Sequence, residues 1–168
     1  MPEWGGDRLS DAPVSRLLTV CRLLNAAGVR YVIVGGFALA LHGAIRATKD
    51  VDVLIEPTLD NARRALEALR GLTYGIAREL DPADVVAKPI TIIGDDPRVD
   101  LLTIAWSVRY ADAAPSMLRL LIDDVEIPVA DLETLIRSKG TGRLQDRADA
   151  ETLEQLKRLR QEGRPGAS

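Results

Sequence analysis

The chain has 168 residues, a length that suits one domain. Apolar residues make up 46% and charged residues 28%, which excludes a disordered chain, because such a chain buries too little to offset its ordering entropy. The net charge of -3 argues against a broad basic face for duplex nucleic acid and leaves a local basic patch open. The first ten residues hold no apolar run of the kind a signal peptide needs, and nothing approaches the roughly 20 apolar residues that span a bilayer. Cys21 is the single cysteine, so no internal disulfide forms, and at its place in an apolar stripe it reads as a small buried hydrophobe. A reduced, cytoplasmic protein without membrane contact is expected. Residues 1–9 and 163–168 gather Gly, Pro and Ser without periodicity and are expected to be flexible, leaving 10–162 as the domain.

In chain order, Val14, Leu17, Leu18, Cys21, Leu24 and Ala27 keep helical spacing, with Gly28 as the C-terminal cap. Tyr31 to Val34 reads as a short buried strand, ended by Gly35-Gly36, with a helix over Phe37 to His42. Val51 to Ile55 is a second strand. Thr58 is a good N-cap for a helix through Leu69, with Gly71 past its end. Ile90 to Ile93 and Val99 to Ile104 flank Gly94–Pro97 as a hairpin. Met117–Ile122 and Val125–Val129 form another across Asp123-Asp124, and Pro128 is expected to put the last strand at a sheet edge. Asp131 caps a helix through Ile136, and a final helix runs from about Leu144 to Gln161. Helices alternating with strands predict an α/β or α+β layer structure, a mixed sheet with helices packed on it.

The chemistry concentrates in Val34-Gly35-Gly36 followed by Asp50-Val51-Asp52. Asp is depleted in strands. At i and i+2 two carboxylates project from one face. They repel unless a cation lies between them, and hard oxygen ligands suit Mg²⁺ or Mn²⁺. The same spacing also occurs on a solvated strand face. Asp100, inside Val99-Asp100-Leu101-Leu102, repeats the anomaly on another apolar strand. Three carboxylates on neighbouring strands are what two-metal phosphoryl transfer requires. Such a cluster is expected to be strained without metal, so neutralising Asp100 should stabilise the metal-free protein. Gly35 and Gly36, lacking Cβ atoms, let backbone N–H groups approach a triphosphate. His42, the only histidine, falls on an apolar helix and reads as a packed residue.

These residues resemble the nucleotidyltransferase fold related to DNA polymerase β. More narrowly, Tyr31–Gly43, Arg46–Asp52 and Arg98–Leu102 resemble small bacterial nucleotidyltransferases near the AbiEii-type toxins of abortive-infection and toxin–antitoxin systems. Leu135–Lys139, Arg143 and Asp146–Asp149 match that group's closing motif, and the resemblance covers about residues 16–156. It implies that Asp50 and Asp52 bind the ions and the nucleotide phosphates. Asp100 would complete the second metal site and help deprotonate the acceptor hydroxyl. Gly35, Gly36, Arg46, Lys139 and Arg143 would contact the nucleotide, Lys139 by neutralising triphosphate charge. Where the superfamily often has Gly-Ser, this chain has Gly35-Gly36, so a serine hydroxyl contact is absent.

The expected function is Mg²⁺-dependent transfer of a nucleoside monophosphate from an NTP to a hydroxyl, with release of pyrophosphate. The acceptor would be tRNA or a protein in a toxin–antitoxin setting. A small antibiotic acceptor and a non-catalytic, antitoxin-like binding module of the same fold are the alternatives. Retention of Asp50, Asp52 and Asp100 speaks against the last.

Overall fold

A computed structural model describes residues 12–44, 48–138 and 144–162. The chain runs α1 (Ala12–Ala26), β1 (Tyr31–Val34), α2 (Gly35–Leu41), β2 (Val51–Ile55), α3 (Leu59–Leu69), α4 (Pro82–Ala87), β3 (Ile90–Ile93) and β4 (Val99–Leu102). It continues with α5 (Tyr110–Ala113), β5 (Leu118–Ile122), β6 (Val125–Val129), α6 (Leu132–Arg137) and α7 (Leu144–Glu162). Short 3-10 turns span Ile76–Glu79 and Ala114–Ser116. The strands form one mixed six-stranded sheet in the order β3-β4-β2-β1-β6-β5. β1 pairs antiparallel with β2, β2 pairs parallel with β4, and β1 meets β6 in parallel. The molecule is an α+β single domain.

The core is largely aliphatic, in keeping with an aromatic content of 4%. The α1 stripe of Leu17, Leu18, Val20, Cys21 and Leu24 is buried, and α1 packs on β6, β2 and α3. Gly28 closes α1 in the left-handed region at φ 69, where Val29 N donates to Leu24 O at 3.1 Å. Thr58 caps α3 by accepting from Asn61 N at 3.2 Å, which lets Ala62, Ala65, Leu66 and Leu69 turn inward. Burial raises the Cys21 thiol to about 12, so it is inert, as expected. Among the described residues, no helix is long and apolar enough to cross a membrane.

Four local readings change. The helix after β1 starts at Gly35 rather than Phe37, and His42 is its C-terminal cap. The second strand of the first hairpin stops at Leu102 instead of reaching Ile104. Residues 76–87 carry a 3-10 turn and α4, unassigned from sequence although Asp81 caps α4 and Pro82 occupies its first turn. The strand bearing Pro128 is not at the edge: β6 lies between β1 and β5, and β5 is the edge. Pro128 is tolerated because of its parity. It lies two residues before Ala130, whose N–H donates to Ile33 O, so its own nitrogen also faces β1, and the β1–β6 ladder consists of the single pair Ile33–Val129. The second hairpin turns through Asp123 and Asp124 at φ 48 and 63. Asp accepts that left-handed region better than most residues.

Candidate active site

β2 and β4 lie side by side with Val51 opposite Val99 and Asp52 opposite Asp100. Residues paired across neighbouring strands share a face, and the strands are about 4.8 Å apart. The register therefore brings the Asp52 and Asp100 carboxylates together at the middle of the sheet. Asp50 and Arg98 lie two residues before them, each immediately ahead of its strand, and Val51 N donates to Arg98 O at 3.0 Å. Alternation puts all four side chains on one face. The opposite face of the same strands is core: Val51, Val53, Val99 and Leu101 are buried.

Asp52 also faces Val34 across the β1–β2 ladder, one residue before Gly35. A Cβ on Gly35 would lie 2.0 Å from Asp52 Oδ2 and 2.8 Å from its Cγ, and Gly35 has φ +70. Gly35 is thus glycine for two local reasons: its backbone conformation, and the Asp52 carboxylate filling the space where a side chain would begin. Gly36 is buried beside it.

Arg98 belongs to this cluster and was not among the site residues expected from the sequence. Its guanidinium grips Asp100 as a fork, Nε to Oδ1 at 3.0 Å and Nη2 to Oδ2 at 3.2 Å. The same Nε lies 3.5 Å from Asp50 Oδ2. Asp100, followed by Asp50 and Asp52, raises the Arg98 pKa above its ordinary value, against the opposing effect of burial. The side chain of Asp100 is only 9% exposed, whereas that of Arg98 is 43% exposed. The strain expected of bare carboxylates is therefore relieved: a protein cation already lies between two of them. The signal was legible in Arg98-Val-Asp100, since i and i+2 on a strand share a face.

The loop that carries Arg98 is itself anchored. Asp95 is buried and accepts from the backbone N–H groups of Tyr74 at 2.8 Å, Ile76 at 3.0 Å and Asp96 at 2.7 Å. Burial alone would raise its carboxyl; the N–H donors outweigh burial and hold it below the usual carboxylate value.

Arg46, Lys139 and Arg143 lie outside the described residues, as do the side chains of Asp146 and Asp149. His42 is a packed residue, as expected: 5% exposed, it lies 2.8 Å through Nε2 from Ala130 O. Arg160 Nη1 meets its Nδ1 at 3.0 Å. A hollow of about 260 Å³ beside it is lined by Asp131, Lys157 and Arg160 but by none of the carboxylates of the site. Its cations are engaged, Arg160 with His42 and Lys157 with Glu133.

As a donor set, Asp50, Asp52 and Asp100 offer the hard oxygens that Mg²⁺ or Mn²⁺ prefers. Among the described residues no three Asp, Glu, His or Cys side chains converge as a ready metal group. Arg98 instead bridges Asp50 and Asp100. The residues fit the ion in kind, and Arg98 occupies the oxygens of Asp50 and Asp100 that the ion would use. Compared with models of known families and with curated proteins, the chain matches none.

Proposed function

We propose that this chain is a nucleotidyltransferase of the DNA polymerase β-like fold, close to the AbiEii-type toxins. It would use Mg²⁺ or Mn²⁺ to move a nucleoside monophosphate from an NTP to a hydroxyl acceptor. The observation that carries the reading is the register of Asp52 with Asp100 on adjacent parallel strands, beside a glycine whose missing Cβ makes room for the Asp52 carboxylate. Carboxylates placed in register on neighbouring strands call for a counter-charge, which Arg98 supplies to Asp50 and Asp100 in the metal-free protein and a divalent ion would supply in the loaded one.

In this reading the acceptor oxygen attacks the α-phosphorus, the bond to the bridging oxygen of the β-phosphate breaks, and pyrophosphate leaves. Bound divalent ions supply charge neutralisation at the phosphates and acidify the acceptor hydroxyl. Asp50 and Asp52 hold the ligand side of the site. Asp100, shielded from water on its strand, takes the acceptor's proton. Backbone N–H groups at Gly35 and Gly36 face the phosphates. Arg46, Lys139 and Arg143 are assigned to the phosphates by the resemblance alone. The acceptor class, tRNA or a protein hydroxyl in a toxin–antitoxin setting within the cytoplasm, rests on the same resemblance, and a small antibiotic is the alternative.

The Arg98–Asp100 fork favours a second reading, a non-catalytic module in which the guanidinium permanently replaces the ion. Incubation with each α-labelled NTP, Mg²⁺ and total tRNA or a cell extract separates the two. Transfer of label to one class of acceptor, lost in Asp52→Asn, is the expected result. Labelling of no RNA, protein or small molecule with any NTP contradicts the enzyme.

A further inference from the structure

We propose that Arg98 is a displaceable counter-ion that closes the carboxylate site in the metal-free protein and must swing away before a divalent ion can enter. This rests on the metal-binding part of the reading above and adds its regulation. The fork engages both oxygens of Asp100 and reaches Asp50 with the same nitrogen, so guanidinium and metal compete for the same carboxylate oxygens. Two cations on those oxygens would lie within a few ångströms of each other, where like charges repel strongly.

The burial asymmetry says which partner moves. Asp100 is fixed in the sheet with its side chain 9% exposed, while the Arg98 side chain is 43% exposed. The Arg98 backbone is held, since its carbonyl accepts from Val51 N, and Asp95 pins the loop before it through three backbone N–H groups. Only the side chain is then left to move, outward into solvent. The planar fork matters as well. Lysine carries the same charge but cannot grip both oxygens at once. Arg98 therefore keeps a shielded carboxylate paired when no ion is present and sets a threshold concentration for metal.

Calorimetric Mn²⁺ titration of the wild type, Arg98→Gln and Arg98→Lys, each with its melting temperature in chelator, tests this. The expected order of Mn²⁺ affinity is Gln above Lys above wild type, with Arg98→Gln about tenfold tighter than wild type. Arg98→Gln should also melt lower in chelator and recover more on adding Mn²⁺. Should the glutamine variant fail to fold, the lysine variant alone still gives a tighter Mn²⁺ site if the inference holds. Equal or weaker Mn²⁺ binding by the folded variants overturns the counter-ion role while leaving the metal site standing. If no protein in the series binds Mn²⁺ at millimolar concentration, the metal reading itself fails and takes this inference with it.

Discussion

Gly35 and Asp52 are mutually dependent. Any side chain at Gly35 collides with the Asp52 carboxylate and also sits at φ +70, where an L-residue loses about 1–2 kcal/mol. Gly35→Ala should therefore lower stability by at least that amount, as read from denaturant midpoints, and should weaken ligand binding because Asp52 must turn aside. Gly43, at φ +104 and with no atom of the described residues within 4 Å of its Cβ position, is a control for a positive φ without a collision. Asp100→Asn behaves differently from what three bare carboxylates would suggest. It removes the charge that Arg98 grips, so in chelator the variant should melt below wild type rather than above it. A melting temperature at or above wild type would show that the fork stabilises nothing and that repulsion dominates.

At the scale of elements, two contacts join parts of the chain distant in sequence, and each gives a pH dependence of known sign. Asp95 ties the turn after α3 to the loop between β3 and β4. Its folded carboxyl is held below the usual value, so its contribution is present above the unfolded value and is lost as pH falls through the folded one. Asp95→Asn should cost about 1–3 kcal/mol at neutral pH and flatten the acid limb of the stability curve. His42 joins the end of α2 to Ala130 and to Arg160 on α7. Burial, and then the Arg160 charge, lower its pKa below 6.5, against the raising effects of Ala130 O and Asp131. Its unfolded form takes up the proton first, so stability falls as pH drops below 6.5. Being the only histidine, it can be followed without assignment by proton NMR. Its midpoint should lie below 6.5 and move upward in Arg160→Met; an unmoved midpoint would exclude that contact in solution.

Element existence was largely legible in the sequence because caps and periodicity agree: Thr58 caps α3, Asp131 caps α6 through Thr134 N at 2.9 Å, and Gly28 ends α1. The 3-10 turn at Ile76–Glu79 was not, because Ile76 N is held by Asp95 from the far side of the sequence, a tertiary contact with no local pattern, whereas α4 did carry a local signal in Asp81 and Pro82. Pro128 misled for a related reason. Whether a proline ends a sheet depends on which neighbour its nitrogen faces, and that is set by the β1–β6 ladder rather than by its own strand.

Across the whole molecule, the sequence motif names Asp50, Asp52 and Asp100 as a set, and the sheet order places β2 beside β4 so that the set shares one face. The carboxylate motif by itself does not give the charge balance of that face; Arg98, two residues before Asp100, carries the signal, and its reach to Asp50 on the neighbouring strand appears only once β2 and β4 are paired. In the proposed reading this face binds a divalent ion together with an NTP. Thermal melting of the full chain with millimolar Mg²⁺ and each NTP in turn, beside Asp52→Asn, tests it most directly. A ligand that binds only the folded state adds about 2.7 kcal/mol at a hundredfold excess over its Kd, so at least one NTP with Mg²⁺ should raise the wild-type melting temperature by several degrees. The rise should vanish in Asp52→Asn and in chelator. No rise with any NTP, or a rise that Asp52→Asn and chelator leave intact, would contradict the claim.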